Sequence, residues 1–150
     1  MVISRGGGTG RRTGLKIPRW QHRVGSIPTS GILKSSNMAD CIFCKIIAQE
    51  IPSTFIYQDD QVIVIKDIAP KAKVHYLIIP KKHIADIQSM QQDDQNLAGS
   101  ILMTAKKLSD QDSTIDSFKL VSNNGFTAGQ RVFHIHFHFL SGPQIDVSHL

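Results

Sequence analysis

Residues 134–140 read His-Ile-His-Phe-His-Phe-Leu, three histidines at two-residue spacing between apolar neighbours. Successive side chains of a β-strand point to opposite faces. The spacing therefore predicts a strand with His134, His136 and His138 on one face and Phe133, Ile135, Phe137 and Phe139 on the other. Neighbouring imidazoles would stand about 6.5 Å apart along such a strand. The apolar row accounts for the strand but not for the histidines, because each buried ring nitrogen needs a hydrogen-bond partner.

Three readings fit that face. The histidines could sit on a solvated surface, which is the ordinary expectation for one histidine and a poor one for three in register. They could ligate a metal through neutral imidazole. Three in line suit one tetrahedral ion badly, since the outer pair lies about 13 Å apart. In the third reading one histidine is a nucleophile, and its neighbours position and protonate the reacting groups. The surrounding sequence favours the third.

The rest of the chain predicts alternating elements. A short helix or turn is expected at 41–48, with Ile42, Ile46 and Ile47 apolar. Strands are expected at 54–57, 61–66, 74–79, 118–122 and 131–140, with Gln58-Asp59-Asp60 and Asn123-Asn124-Gly125 as turns. Leu97, Ala98, Ile101, Leu102, Ala105 and Leu108 recur at helical spacing, which predicts the main amphipathic helix over 93–109. Paired strands with one long helix imply an α+β domain on a mostly antiparallel sheet of about five strands.

The formal charge of +5 is concentrated at one end. Residues 1–37 hold seven of the seventeen Lys and Arg and none of the twelve acids, which leaves 38–150 at −2. The domain of 38–150 thus offers no bulk electrostatic case for nucleic-acid binding. Residues 1–37, with Gly6-Gly7-Gly8 and scattered Arg, read as a disordered basic leader without the apolar segment of a secretory signal. Met38-Ala39-Asp40 is the favoured start of the functional chain, with an organelle-targeting peptide as the alternative. No apolar run approaches the ~20 residues that span a bilayer, so a soluble, cytoplasmic protein with no membrane partner is expected.

The two cysteines form one Cys-x-x-Cys, Cys41 to Cys44. Alone it fits a redox pair, two inert thiols or half a zinc site. No thioredoxin-like βαβ context surrounds it, so the redox reading is the least favoured.

Taken together these motifs resemble the histidine triad (HIT) family of nucleotide-binding proteins, and within it the Hint-like branch. The resemblance rests on His-Ile-His-Phe-His-Phe-Leu and on Cys-Ile-Phe-Cys-Lys-Ile-Ile at 41–47. It continues through Asp-Ile-Ala-Pro at 67–70 and His-Tyr-Leu-Ile-Ile-Pro-Lys-Lys-His at 75–83. Asn-Asn-Gly at 123–125, Ala-Gly-Gln at 128–130 and Val-Phe at 132–133 complete it, so that it covers about residues 38–143. It implies the HIT-like fold, a homodimer, and hydrolysis of purine nucleoside phosphoramidates. By the same resemblance His136 is the nucleophile; His138, two residues on, is placed to contact phosphate or protonate the leaving group, and His75 either closes a histidine chain through His134 or is a satisfied structural histidine.

The resemblance further implies that Ile42, Phe43, Ile46 and Ile51 shape a base slot and that Asp67 accepts from the ribose hydroxyls. Asn123, Gly129, Gln130 and the backbone around Val132 are expected at the phosphate. Arg131 and Ile65 depart from the small polar residue and the aromatic common at these places. An Arg131 facing phosphate would add a charge-assisted contact; facing solvent it would do nothing. Some bacterial members pair a Cys-x-x-Cys with two histidines, here His83 and His134. With Cys41 and Cys44 these would make a closed structural zinc site, not required for catalysis. Two other readings stay open: a dinucleoside polyphosphate hydrolase, and a non-enzymatic zinc-stabilised nucleotide-binding module that works by partner contact.

Overall fold

The computed structural model describes residues 38–145, and the expected basic leader at 1–37 lies outside them. Five strands, β1 (Phe55–Gln58), β2 (Val62–Lys66), β3 (Val74–Pro80), β4 (Lys119–Val121) and β5 (Phe137–Ser141), form one sheet in the order β1-β2-β3-β5-β4. Every neighbouring pair is antiparallel. Two α-helices, α1 (Ile42–Ile47) and α2 (Gln95–Gln111), complete the α+β fold expected from the sequence. No helix among the described residues is long and apolar enough to cross a membrane.

Both faces of the sheet are covered, which explains why β2 reads Val-Ile-Val-Ile without polar alternation. Val62 and Val64 pack with Ile78, Phe139 and the inner stripe of α2, formed by Leu97, Ile101, Ala105 and Leu108. Ile63 and Ile65 pack on the opposite face with Leu77, Ile79 and with Phe43 and Ile46 of α1. Two residues expected on the inner stripe of α2 differ: Leu102 is exposed and Ala98 is half-buried. Thr104 takes an inner position instead, its hydroxyl donating to the Ser100 carbonyl at 2.8 Å, so its polar atom needs no solvent.

The last strand also differs from its expected bounds. Pairing with β3 starts at Phe137, opposite Ile78, and residues 131–136 are irregular. The backbone of this segment is satisfied elsewhere. Ile135 N donates to the Ile84 carbonyl at 2.6 Å, and the Ser122 hydroxyl donates to the His136 carbonyl at 2.9 Å. Pro80, which ends β3, has no N–H to extend the ladder. The alternation survives where it matters, since His138 and Leu140 face α1 while Phe137 and Phe139 face α2.

Phe139 is fully buried, stacked between Phe118 at 4.6 Å and Tyr76 at 6.3 Å between ring centroids. Phe139→Ala should therefore cost about 3–5 kcal/mol, read as a lower urea midpoint at unchanged m-value. A loss below about 1 kcal/mol would mean that this ring does not anchor the sheet to α2.

Candidate active site

The α1 face of the sheet gathers the titratable residues. His75 of β3 stands opposite Leu140, and His138 of β5 stands opposite Leu77, so the two histidines are diagonal neighbours on one face. Their rings meet through His75 Nε2 and His138 Nδ1 at 2.9 Å. The backbone N–H of Lys71 donates to His75 Nδ1 at 3.1 Å, which makes that nitrogen an acceptor. The hydrogen-bond network then assigns the protons. His75 carries its proton on Nε2 and donates to His138 Nδ1, so His138 carries its proton on Nε2.

Asp67, just beyond β2, brings its carboxylate 3.4 Å from His75 Nε2 and 3.8 Å from His138 Nδ1. Its other oxygen accepts from Ala69 N at 2.7 Å. Burial lowers the pKa of His75, against the raising effect of Asp67. Burial and the neighbouring His136 and His75 push His138 down to about 4. Both imidazoles are thus neutral near pH 7. The structure links His75 to His138, not to His134 as the sequence suggested, because His134 points the other way.

His136 sits between the two groups. Its Nδ1–H donates to the His134 carbonyl at 2.8 Å, which leaves the lone pair on Nε2. Its ring lies 5.1 Å from the rings of both His138 and Phe43, closer than an extended strand alone would set it. Burial lowers its pKa, opposed by the bond to the His134 carbonyl and by Asp67. A neutral imidazole with a fixed tautomer is a nucleophile that loses no time in the protonated state.

His134 is fully buried and donates from Nε2 to the Pro80 carbonyl at 2.8 Å. Its Nδ1 lone pair faces Cys41 Sγ at 3.4 Å, Cys44 Sγ at 3.5 Å and His83 Nδ1 at 3.2 Å. His83 Nδ1 also lies 3.2 Å from Cys44 Sγ. Cys41 and Cys44 reach this point together because three-residue spacing at the start of α1 puts both sulfurs on one side. The four residues are positioned to bind a metal ion, with all four ligand atoms within 4.8 Å of one another.

The spacing fits a tetrahedral ion. Bonds of about 2.05 Å to nitrogen and 2.3 Å to sulfur set nitrogen–nitrogen and nitrogen–sulfur edges of about 3.4 and 3.6 Å, against 3.2–3.5 Å for these pairs here. Burial and the adjacent Cys41 push the Cys44 thiol up to about 11, so without an ion the Cys44 thiol stays protonated. Asp67, His75 and His138 also lie close enough to share an ion. Their facing nitrogens, however, are already hydrogen-bonded to each other and to Lys71.

The expected nucleoside and phosphate residues divide. Phe43 and Ile46 are buried in the smaller core, where Ile51 and Val132 pack at the edge, while Ile42 is exposed. Gly129 adopts φ +94° and Gly125 φ +92°, so the tight turn Phe126–Ala128 is closed at both ends by left-handed backbone that favours glycine. Asn123 lies between Ser122 and this turn. Gln130 is placed beneath the loop instead of on its surface. Its Oε1 accepts from Gly125 N at 2.7 Å, and its Nε2 donates to the Ala85 and Val132 carbonyls at 2.6 and 3.0 Å. Arg131 is exposed, with its guanidinium 5.1 Å over the Phe126 ring.

Three supporting groups were invisible in the motif reading: the Pro80 carbonyl, the Lys71 N–H and the Ser122 hydroxyl. Two are backbone groups, which leave no trace in residue identity. The third is one serine among many.

The family model described as the scavenger mRNA decapping enzyme C-terminal binding domain matches residues 40–146. An uncharacterized HIT-like protein of Synechocystis is 44% identical over 103 residues, covering 69% of this chain and 90% of that protein. The crystal structure of a HIT family hydrolase from Legionella pneumophila is similar at 43% identity and TM-score 0.67, covering 73% of this chain and 98% of that one. A HIT family hydrolase from Clostridium thermocellum is similar at 42% identity and TM-score 0.68, with 75% and 96% covered. With a family model matching residues 40–146 and this breadth of similarity, the chain belongs to the histidine triad family.

Proposed function

We propose that the protein hydrolyses purine nucleoside phosphoramidates through a nucleotidyl-histidine intermediate on His136. The observation that supports this best is the orientation of two neutral imidazoles. His136 offers a lone pair at Nε2, and His138, beside it, offers an N–H at Nε2. Phosphoryl transfer asks for little else, because the transition state is stabilised mainly by positioning and by charge aimed at the phosphoryl oxygens.

In the reaction His136 Nε2 attacks phosphorus in line, and the Nε2–P bond forms as the P–N bond to the leaving amine breaks. The electron pair departs with the amine, which takes a proton at His138 Nε2. That proton is one taken up from solvent with the anionic substrate, whose charge together with the Asp67 carboxylate holds it on His138, so its transfer leaves His138 neutral. Water then attacks phosphorus and gives its proton back to His138 Nε2, and the Nε2–P electron pair returns to His136. The product is the nucleoside 5′-monophosphate. Exposed Ile42 beside buried Phe43 suits an apolar wall for the base, and a carboxylate such as Asp67 can accept from two vicinal hydroxyls. Asn123 and the backbone around Val132 are the phosphate contacts in this reading.

Zinc is the metal we assign to Cys41, Cys44, His83 and His134, since two thiolates and two imidazoles in a tetrahedron select it. When bound it closes four positions and keeps both thiols deprotonated, serving as an anchor. The implied homodimer would cover the exposed Leu102 and Met103 of α2 and the exposed Phe118 next to β4.

Three outcomes follow. Hydrolysis of adenosine 5′-phosphoramidate should be abolished by His136→Ala, while affinity for adenosine monophosphate stays within about tenfold. Unchanged turnover in that variant refutes the nucleophile assignment, and tight nucleotide binding without turnover in the wild type favours a binding module. The pH profile of kcat/KM should show no acid limb near the ordinary imidazole value of about 6.5, because a depressed pKa keeps the histidines neutral until lower pH. A limb centred at that value contradicts the burial argument. Purified protein should carry about one zinc per chain, and Cys44→Ser should lose it; a near-zero content in the wild type excludes the structural zinc site.

A further inference from the structure

His136 stands one residue before β5, and two of its own atoms are tied down. Its Nδ1–H donates to the His134 carbonyl, which sets the ring relative to its own segment. Its main-chain carbonyl accepts from the Ser122 hydroxyl at 2.9 Å, which sets that segment relative to the end of β4. Ladder pairing of β4 with β5 stops at Val121, opposite His138. Ser122 is the next residue, and its side chain takes over where the ladder ends.

Ser122 is in turn held by Asn124. The Ile87 N–H donates to Asn124 Oδ1 at 2.8 Å, which identifies the other amide atom as the NH2 group. That group donates to the Ser122 carbonyl at 3.1 Å and makes a longer contact of 3.5 Å with Ser122 Oγ. A hydroxyl has a single proton to give. With an NH2 group on one side, Ser122 directs that proton to His136. The donors run in one sense, from Ile87 through Asn124 and Ser122 to the His136 carbonyl, an order in which each bond polarises the next.

Ile87 is a firm origin for this chain of bonds. Asp86 caps its turn, accepting from the Ser89 N–H and hydroxyl at 2.9 and 2.6 Å. The adjoining carbonyls of Ile84 and Ala85 accept from Ile135 N and Gln130 Nε2, both at 2.6 Å. The stretch 84–87 therefore braces residues 130–136 at three places. Of these three, the Ser122 branch is the one that ends on His136 itself.

We propose that Ser122, backed by Asn124, is the positioning residue for the nucleophile: it fixes the main chain of His136 so that Nε2 meets phosphorus in line. This rests on the phosphoramidase reading and adds to it a residue that acts through His136. Attack geometry is lost with displacements on the order of 1 Å, and the hydroxyl opposes such a displacement as the Nε2–P bond draws the ring toward the substrate.

The test pairs Ser122→Thr with Ser122→Val, two side chains of the same shape that differ in the hydroxyl. With adenosine 5′-phosphoramidate, kcat of the Val variant should fall about tenfold below that of the Thr variant, while calorimetry gives both the same affinity for adenosine monophosphate. Equal kcat values overturn the proposal, and so does a loss confined to affinity, which would mean that the substitution acts through the neighbouring Asn123. Asn124→Asp keeps an acceptor for Ile87 but turns an acceptor toward Ser122. It should lower kcat in otherwise wild-type protein and add nothing to Ser122→Val; losses that multiply overturn the backing by Asn124. The His136 Nδ1 proton supplies a reading without turnover. By NMR it should exchange with solvent about tenfold faster in the Val variant than in the Thr variant, and equal exchange overturns the positioning role. If the wild type does not hydrolyse the phosphoramidate, the phosphoramidase reading falls, and the exchange rates still decide whether Ser122 positions His136.

Discussion

The hydrogen bond from His136 Nδ1 to the His134 carbonyl is the contact on which the site depends. It fixes the tautomer of His136 and aims Nε2 outward. The carbonyl can do this only because His134 is itself immobile. Its ring is fully buried, tied by Nε2 to the Pro80 carbonyl, and turned by Nδ1 toward Cys41, Cys44 and His83. One residue thereby joins two clusters: its side chain belongs to the four residues positioned to bind a metal ion and its backbone carbonyl orients His136. A metal at the four-residue site would stiffen the segment that orients His136 without touching the substrate.

The fold separates stability from chemistry by the two faces of one sheet. The α2 face carries the larger apolar cluster, including Phe139, Ile78 and Ile101. The α1 face carries a smaller cluster, and its remaining area holds His75, His136 and His138. Burial on this face does the electrostatic work. It lowers the proton affinity of all three imidazoles, and Asp67 opposes the shift at each. The same low-dielectric surroundings strengthen the hydrogen bonds that assign their tautomers.

Much of this was legible in the sequence, for identifiable reasons. The two-residue spacing placed His138 and Leu140 on one face of β5, since strand periodicity is local. The Cys-x-x-Cys and His83 could be joined to His134 through the family resemblance, and the geometry brings all four together. What stayed hidden depends on partners distant in sequence. The pattern at 131–136 reads as strand, but Ile84 and Ser122 take its backbone groups and end the ladder at Phe137. Gln130 looks like a surface phosphate contact until Gly125, Ala85 and Val132 are seen to occupy its amide. Leu102 fits helical spacing, yet lies just outside the stripe that the sheet covers.

The central claim is the assignment of protons among the histidines, and nitrogen-15 NMR of the imidazoles reads it directly. The account predicts His136 protonated on Nδ1 at neutral pH, with His134, His75 and His138 protonated on Nε2. Finding His136 protonated on Nε2, or charged, would contradict it, because Nε2 would then carry no free lone pair.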